Sequence, residues 1–454
     1  RSLIDNGIVY REGNIWKAKA EIEAFPVPDT IQGVIMSRID RLEEEVKYVL
    51  QCASVIGRLF RHRLLAYTSD REQELDQYLW KLEDRDLIYE ERAVPELEYS
   101  FKHVLTQETA YQSLLARRRS AFHRKVAEGI EALYRERLEE FYEQLAYHYD
   151  ESGDVEKTVE YLLKAGEKAR LAYQNEEAIR YFQRALELLD ASPPLGESRK
   201  DWGLEALKGL GQIYFGIGRI PEAEEHFRQA IAIGKEIRLT PRELVRLYHW
   251  LGRALFWQSR YEERIRLGEG GLAILGDDTE SVEAALMNLA IAVGSLWLGG
   301  AGNIERWREF ILRTAQFIRR LPYSEEVGVA YLQICELFAT DKNMEEQLKW
   351  FDELEEKARR HRDLEALGSL HSYRGGRFEG TGDLRRAILE YQKGLDIQTK
   401  AGDSKHESWS LGSIGRSLLK LGHLKEAEEP SNRALHILEQ VGNKRDIAWA
   451  HLRI

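Results

Sequence analysis

The sequence predicts an almost entirely helical protein: an α–α superhelix of antiparallel helix pairs, preceded by a small module that carries a short β-hairpin. Three observations predict it. Small residues recur inside apolar helical stretches at Gly211, Gly252, Gly294, Cys335, Gly375 and Gly415, at intervals of 41, 42, 41, 40 and 40. Ala, Leu, Glu, Lys and Arg are abundant and only nine prolines occur in 454 residues, so helix can run nearly throughout. Before about residue 135 the pattern changes to short apolar runs bounded by turn residues.

In chain order, Ile8-Val9-Tyr10 and Ile15-Trp16 flank Gly13-Asn14 and read as a hairpin. Pro28 followed by Asp29-Thr30 marks a helix start, because a short polar side chain accepts from the orphan N–H groups of a first turn. Helices are expected near 44–56, 60–68 and 71–84, then short strands at Leu87–Glu90 and Leu97–Phe101 around Val94-Pro95. Three helices followed by a hairpin suggest a winged-helix module. Leu105 to Tyr134 returns to helix.

In the second half each ladder residue is followed, three positions on, by a large apolar side chain: Tyr214, Leu255, Trp297, Phe338, Phe378 and Leu418. Further along lie Ala223, Phe227 and Ala230 in the first copy, and Gln347, Phe351 and Leu354 in the fourth. The fifth has Ala387, Tyr391 and Gly394, the last Ala427, Ser431 and Ala434. Antiparallel helices approach closely only where a position has little side chain, and a ring fills the neighbouring hole. The pattern resembles the tetratricopeptide repeat, with Leu210-Gly211 and Tyr214 on a first helix and Ala223, Phe227 and Ala230 on a second. The usual period is ~34, so these units have longer helices or connections. The copies at Gly252 (with Arg264, Gly268, Gly271) and Gly294 (with Arg306, Arg313) depart from the pattern. Pro430 should remove one hydrogen bond from the last helix. Upstream, Leu145-Ala146, Tyr149 and Gly153, then Ala178, Phe182 and Ala185, look like two compressed copies. Ser192-Pro-Pro-Leu-Gly196 interrupts them.

Net charge is −11, with 66 basic and 77 acidic residues, which argues against a non-specific nucleic-acid binder. Cys52 and Cys335 are too few for a disulfide scaffold and fit a reducing, cytoplasmic setting. Ala284 to Leu298 is apolar but contains Asn288 and Ser295, and falls short of the ~20 residues a membrane helix needs. No membrane partner and no signal peptide are expected. The chain opens at Arg1 without a methionine and stops at Ile454 inside a helical pattern, so it is expected to be a piece of a longer polypeptide.

Val27-Pro-Asp-Thr-Ile-Gln-Gly-Val-Ile-Met-Ser-Arg-Ile-Asp-Arg-Leu42, Ala53-Ser-Val-Ile-Gly57 and Tyr99-Ser-Phe-Lys-His-Val-Leu-Thr-Gln-Glu-Thr-Ala-Tyr111 resemble the region after the ATPase core in bacterial STAND proteins. These are signal-transduction ATPases with numerous domains, often fused to class III adenylate/guanylate cyclases. Lys164-Ala-Gly-Glu-Lys168 and Asn175-Glu-Glu-Ala178 are similar to that family too. The resemblance implies a tail of the upstream ATPase over 1–28, a winged helix over 29–134 and a solenoid over 135–454 with a break near 191–201. It also implies an ATPase domain in cis, ATP or ADP in the parent protein, and repeats that act as a sensor. In the family, a histidine at the position of His103 contacts the phosphate of ADP. No Gly-x-x-x-x-Gly-Lys-Ser/Thr loop occurs; Gly375-Gly-Arg-Phe-Glu-Gly380 lacks the lysine and falls on a repeat. No cofactor, metal site or catalysis is therefore expected in this chain.

First helices of such repeats usually line a groove, which nominates His249, Arg253, Phe256, Glu336, Glu379 and Arg416 for a protein or peptide ligand. The cluster Arg117-Arg-Arg119 with Arg124-Lys125 suggests DNA as a second reading, a transcription regulator. Eight acids within 138–160 face it in sequence, so an internal electrostatic contact is the first expectation. A passive scaffold is the third reading.

Overall fold

The structure, a computed structural model, describes residues 9–12, 15–18, 31–191, 198–298, 314–340, 344–441 and 447. They belong to two units, Arg1–Leu162 and Leu163–Ile454.

In the first unit β1 (Val9–Glu12) pairs antiparallel with β2 (Ile15–Ala18), so the expected hairpin forms. The Asp29-Thr30 start lies outside the described residues; the helix itself is α1 (Ile31–Ile39). Then follow α2 (Glu44–Ile56), β3 (Leu59–Arg61), α3 (His62–Ser69), α4 (Leu75–Asp84), β4 (Ile88–Arg92) and β5 (Glu98–Phe101). The sheet order is β3-β5-β4, antiparallel throughout. Strand β3 was not anticipated, since three residues are too few to show alternation. Its buried Phe60 packs at 6.0 Å from Tyr99 and 5.6 Å from Phe101, and the helix expected from residue 60 begins at His62.

The single helix expected over 105–134 is two, α5 (Val104–Gln112) and α6 (Ala116–Leu133). Ser113 donates to the Ala110 carbonyl at 2.6 Å, and Leu115 is extended before the chain restarts. After a 3-10 turn (Arg135–Phe141), α7 (Tyr142–Ser152) packs on α6. Glu131 of α6 accepts from Tyr149 at 2.8 Å, from Lys157 at 3.1 Å and from Tyr161. Those bonds tie α7 and the residues up to Tyr161 to α6 within the first unit.

Helix α8 (Val155–Leu171) leads into the second unit. There α9 (Asn175–Ala191), α10 (Ser198–Gly216), α11 (Ile220–Glu236), α12 (Pro241–Trp257), α13 (Tyr261–Leu275) and α14 (Val282–Leu298) follow. Then come α15 (Glu325–Thr340), α16 (Met344–His361), α17 (Leu364–Gly380), α18 (Leu384–Ala401), α19 (Ser404–Lys420) and α20 (Leu424–Val441). The break at Ser192–Gly196, and Arg306 and Arg313, lie outside the described residues.

All six ladder residues fall late in the first helix of a pair: α10, α12, α14, α15, α17 and α19. At Gly211, Gly375 and Gly415 the hole is filled from the second helix, sixteen residues on, by Phe227, Tyr391 and Ser431. A methyl on Gly211 would sit 2.5 Å from the Phe227 ring, and one on Gly375 2.7 Å from Tyr391. Upstream, Gly166 meets Phe182 in the same way, at 2.9 Å. Gly294 instead faces back to Ile265 at 2.8 Å. In the degenerate copy, Gly268 and Gly271 make room for Ile291 and Met287 of α14, so those small residues serve the next pair. Of the large residues three positions after the ladder glycines, none fills the hole; Trp297 is 42% exposed. Pro430 is buried within α20, which runs on past it to Val441. Tyr331, Trp350 and Phe351 anchor the central apolar core of the unit. Among the described residues no helix is long and apolar enough to cross a membrane.

Candidate functional site

Helix α12 places His249, Arg253 and Phe256 on one face, at spacings of four and three. The expectation was a face open to a guest. His249 and Arg253 are in fact buried, and Phe256 packs edge-on to Trp297 at 6.0 Å. Burial, with Arg253 and Arg264 close by, pushes the His249 pKa well below its ordinary value, so the imidazole is neutral. The Arg253 guanidinium lies 4.5 Å over Phe215 and 4.6 Å over Trp250, and pairs with Glu365 of α17.

Glu365 opens a second group that sequence reasoning missed. Asp403 caps α19 and accepts from Lys405 Nζ at 2.6 Å; its other oxygen meets His406 Nδ1 at 2.6 Å. Lys405, fully buried, also donates to the Gly216 carbonyl at 3.2 Å and lies 4.6 Å from the Phe215 ring. Burial opposes ionisation of both carboxylates, yet both pKa values fall, Glu365 through Arg253 and Asp403 through His406 and Lys405. The candidate ligand atoms of Glu365, Asp403 and His406 lie within 4.8 Å of one another, the composition of a cation site. Each carboxylate already has a buried cation of the chain. A signal was present in the sequence: Asp363 and Asp403, and Glu365 and Lys405, stand 40 residues apart at equivalent places in consecutive repeats.

Glu379 and Arg416 prove to be partners of each other. Arg416 donates to Glu379 through Nε at 2.6 Å and Nη2 at 2.7 Å, with Lys420 at 2.9 Å and the Tyr391 hydroxyl at 2.9 Å. Burial alone would raise the Glu379 pKa; these donors outweigh it and hold it at about 2. The side chain of Glu336 lies outside the described residues. Cys335 is buried in the ladder, its carbonyl accepting from Gln347 at 2.9 Å.

In the first unit His103 is exposed at the start of α5. It lines a cleft of about 590 Å³ with Arg38, Arg58 and Lys102 and the apolar Ile31 and Leu105. Arg38 donates to the Arg85 carbonyl at 2.6 Å and Lys102 pairs with Asp86. Of the basic cluster, Arg124 reaches Asp154 of the acidic block at 3.0 Å, as expected, while Lys125 pairs with Asp70 outside that block and Arg117 and Arg118 are exposed. The glycine string 375–380 is part of α17, a helix rather than a phosphate-cradling loop.

The tetratricopeptide-repeat family matches residues 174–236. No curated protein matches the sequence. Among solved structures, the chain is similar to a signal transduction ATPase with numerous domains (STAND) protein with a tetratricopeptide repeat sensor, from Pyrococcus horikoshii. The identity is 13% and the TM-score 0.52, over 94% of this chain and 65% of that one. The chain thus spans about two thirds of that protein's length. A Rap conjugation gene regulator of plasmid pLS20, solved with a Phr peptide, has a TM-score of 0.51 at 15% identity, over 72% of this chain and 91% of its own. A Rap protein complexed with competence and sporulation factor has a TM-score of 0.51 at 12% identity, over 90% of this chain and 99% of its own. These likenesses define the fold class: a superhelix of tetratricopeptide-like repeats.

Proposed function

We propose that this chain is the sensor arm of a signalling ATPase of the STAND type: its repeats bind a protein or peptide, and the N-terminal unit, read as a winged helix, passes that binding to a nucleotide-dependent switch. The observation that carries the reading is the ladder. Six small residues recur at the same place on six helices, and at Gly211, Gly375 and Gly415 the second helix packs into the gap; arrays stacked in this way curve and present an inner face on which such proteins receive a guest. A Rap regulator of similar fold was solved with a Phr peptide, and the STAND protein of similar fold carries its repeats as a sensor, which supports the reading. His103, with Arg38, Arg58 and Lys102 about its cleft, has the donors to hold a phosphate of a nucleotide bound to an upstream ATPase domain.

Binding is tested by placing a photo-crosslinking amino acid at Phe256 and panning a random peptide library against the full chain. Enriched peptides should crosslink there; enriched peptides that never do would overturn the reading. In the parent protein, His103→Ala should weaken ADP retention, and unchanged retention would remove the switch. DNA recognition by the winged helix is disfavoured. Helix α4, which would enter the groove, exposes Asp76, Gln77 and Asp84 and follows Glu72 and Glu74, a surface that repels phosphates. A gel shift at ~150 mM salt should show no retained complex.

A further inference from the structure

Four contacts join the early repeats of the second unit to the late ones across a long stretch of sequence. Arg253 of α12 pairs with Glu365 of α17. Lys405 of α19 donates to Gly216 at the end of α10, and the Trp257 ring meets His406 edge-on at 5.4 Å. The Leu364 amide donates to the Tyr173 hydroxyl at 3.0 Å. The spiral therefore closes on itself through charged and polar groups, of which Lys405 is the most deeply buried.

The two signs are not equally able to part. Asp403 caps α19, accepting from the His406 amide at 3.3 Å, and Glu365 lies in the first turn of α17. Both carboxylates keep the favourable field of a helix N-terminus if their cations leave. Arg253 and Lys405 have only aromatic faces and one carbonyl to fall back on, and a buried cation without its anion is strongly unfavourable. Arg253 is 8% exposed and its Nη1 has no hydrogen-bond partner among the described residues; the same holds for Nε2 of His249, one turn earlier and 3% exposed. The early-repeat side of the contact thus has unused buried hydrogen-bonding capacity, and its charge asks for an anion.

We propose that the Arg253–Glu365 pair and the bond from Lys405, held by Asp403 of its own helix, to the Gly216 carbonyl form a clasp that holds the spiral shut, and that a carboxylate-bearing peptide opens it by taking Arg253 from Glu365 and Lys405 from the Gly216 carbonyl. The clasp deepens the sensor reading and rests on it for the ligand: it names the ligand chemistry and the contact the ligand replaces.

The test uses the full chain with Gln229→Cys and Lys425→Cys, both at exposed positions, for spin labels; Cys52 and Cys335 are buried. The label separation is measured alone and with four peptides: hexaglutamate and hexaglutamine, each with a free or an amidated C-terminus. Amidated hexaglutamate should lengthen the separation saturably, by at least about 5 Å, the pitch of one helical turn. Amidated hexaglutamine should not. A response to hexaglutamine only when its terminus is free would assign the ligand group to the main-chain carboxylate instead. Glu365→Gln with Asp403→Asn should lengthen the separation without peptide and leave the helical circular dichroism unchanged. Should that double variant keep the wild-type separation, the clasp is refuted; should it open while no carboxylate peptide has an effect, the ligand assignment is refuted. Neutral peptides that crosslink at Phe256 yet leave the separation unchanged would sink this proposal while the sensor reading stands.

Discussion

Gly211 and Gly252 occupy the same place in the repeat, yet a methyl group should act in opposite directions at the two. At Gly211 the added carbon would lie 2.5, 2.7 and 3.0 Å from three atoms of the Phe227 ring. Ordinary carbon contacts are about 3.5–4.0 Å. Phe227 is fully buried and stacked on Trp250 at 5.8 Å, so it has nowhere to swing. Overpacking of this kind costs about 1–3 kcal/mol, while alanine recovers about 0.5–1 kcal/mol of helix propensity. Gly211→Ala should therefore destabilise by about 1 kcal/mol, the difference of the mid-range values. At Gly252 the nearest atoms would be 3.7 and 3.9 Å away, so the propensity gain stands alone. Urea midpoints followed by far-ultraviolet circular dichroism should fall for Gly211→Ala and hold or rise for Gly252→Ala. Adding Phe227→Leu to Gly211→Ala should cost less than the two changes summed, because the clash is shared. A Gly211→Ala chain as stable as wild type would refute the steric account of the repeat.

Acid should weaken the last repeats through Glu379. Its pKa is held at about 2, so the stability it supplies is complete above its ordinary value of 4.5 and is lost as pH falls from there towards 2. Arg416→Met should lower the urea midpoint at neutral pH and flatten that acid limb. In the first unit, His123 and His148 face each other with Nδ1 atoms 2.9 Å apart, and burial lowers their pKa values to about 4 and about 3. The unfolded chain takes up those protons near 6.5, so stability should decline from there as pH falls to about 4, by at most about 3 kcal/mol for His123. His148→Leu should shrink the decline; an unchanged profile would show that the pair does not titrate on unfolding.

The ladder was legible because close helix packing leaves a one-dimensional trace: a missing side chain here, a ring sixteen residues on, repeated. The hairpin at 9–18 and the helix at 44–56 were legible from local turn and apolar patterns. Strand β3 was not, because its three residues take their pairing from β5, some forty residues later. Nor was the division of the long helix at Ser113–Leu115, which turns on one hydroxyl and one extended residue.

For the candidate site the division is sharper. The spacing of His249, Arg253 and Phe256 on one helical face was determined by sequence alone, as was the recurrence of an acid or a lysine at Glu365 and Lys405. That Arg253 meets Glu365, 112 residues away, was decided only by the tertiary structure. The curvature summed over several repeats brings those charges together, and each repeat contributes an angle that no local pattern records. A periodic sequence specifies how neighbours stack; where the ends of the stack meet depends on the accumulated rotation.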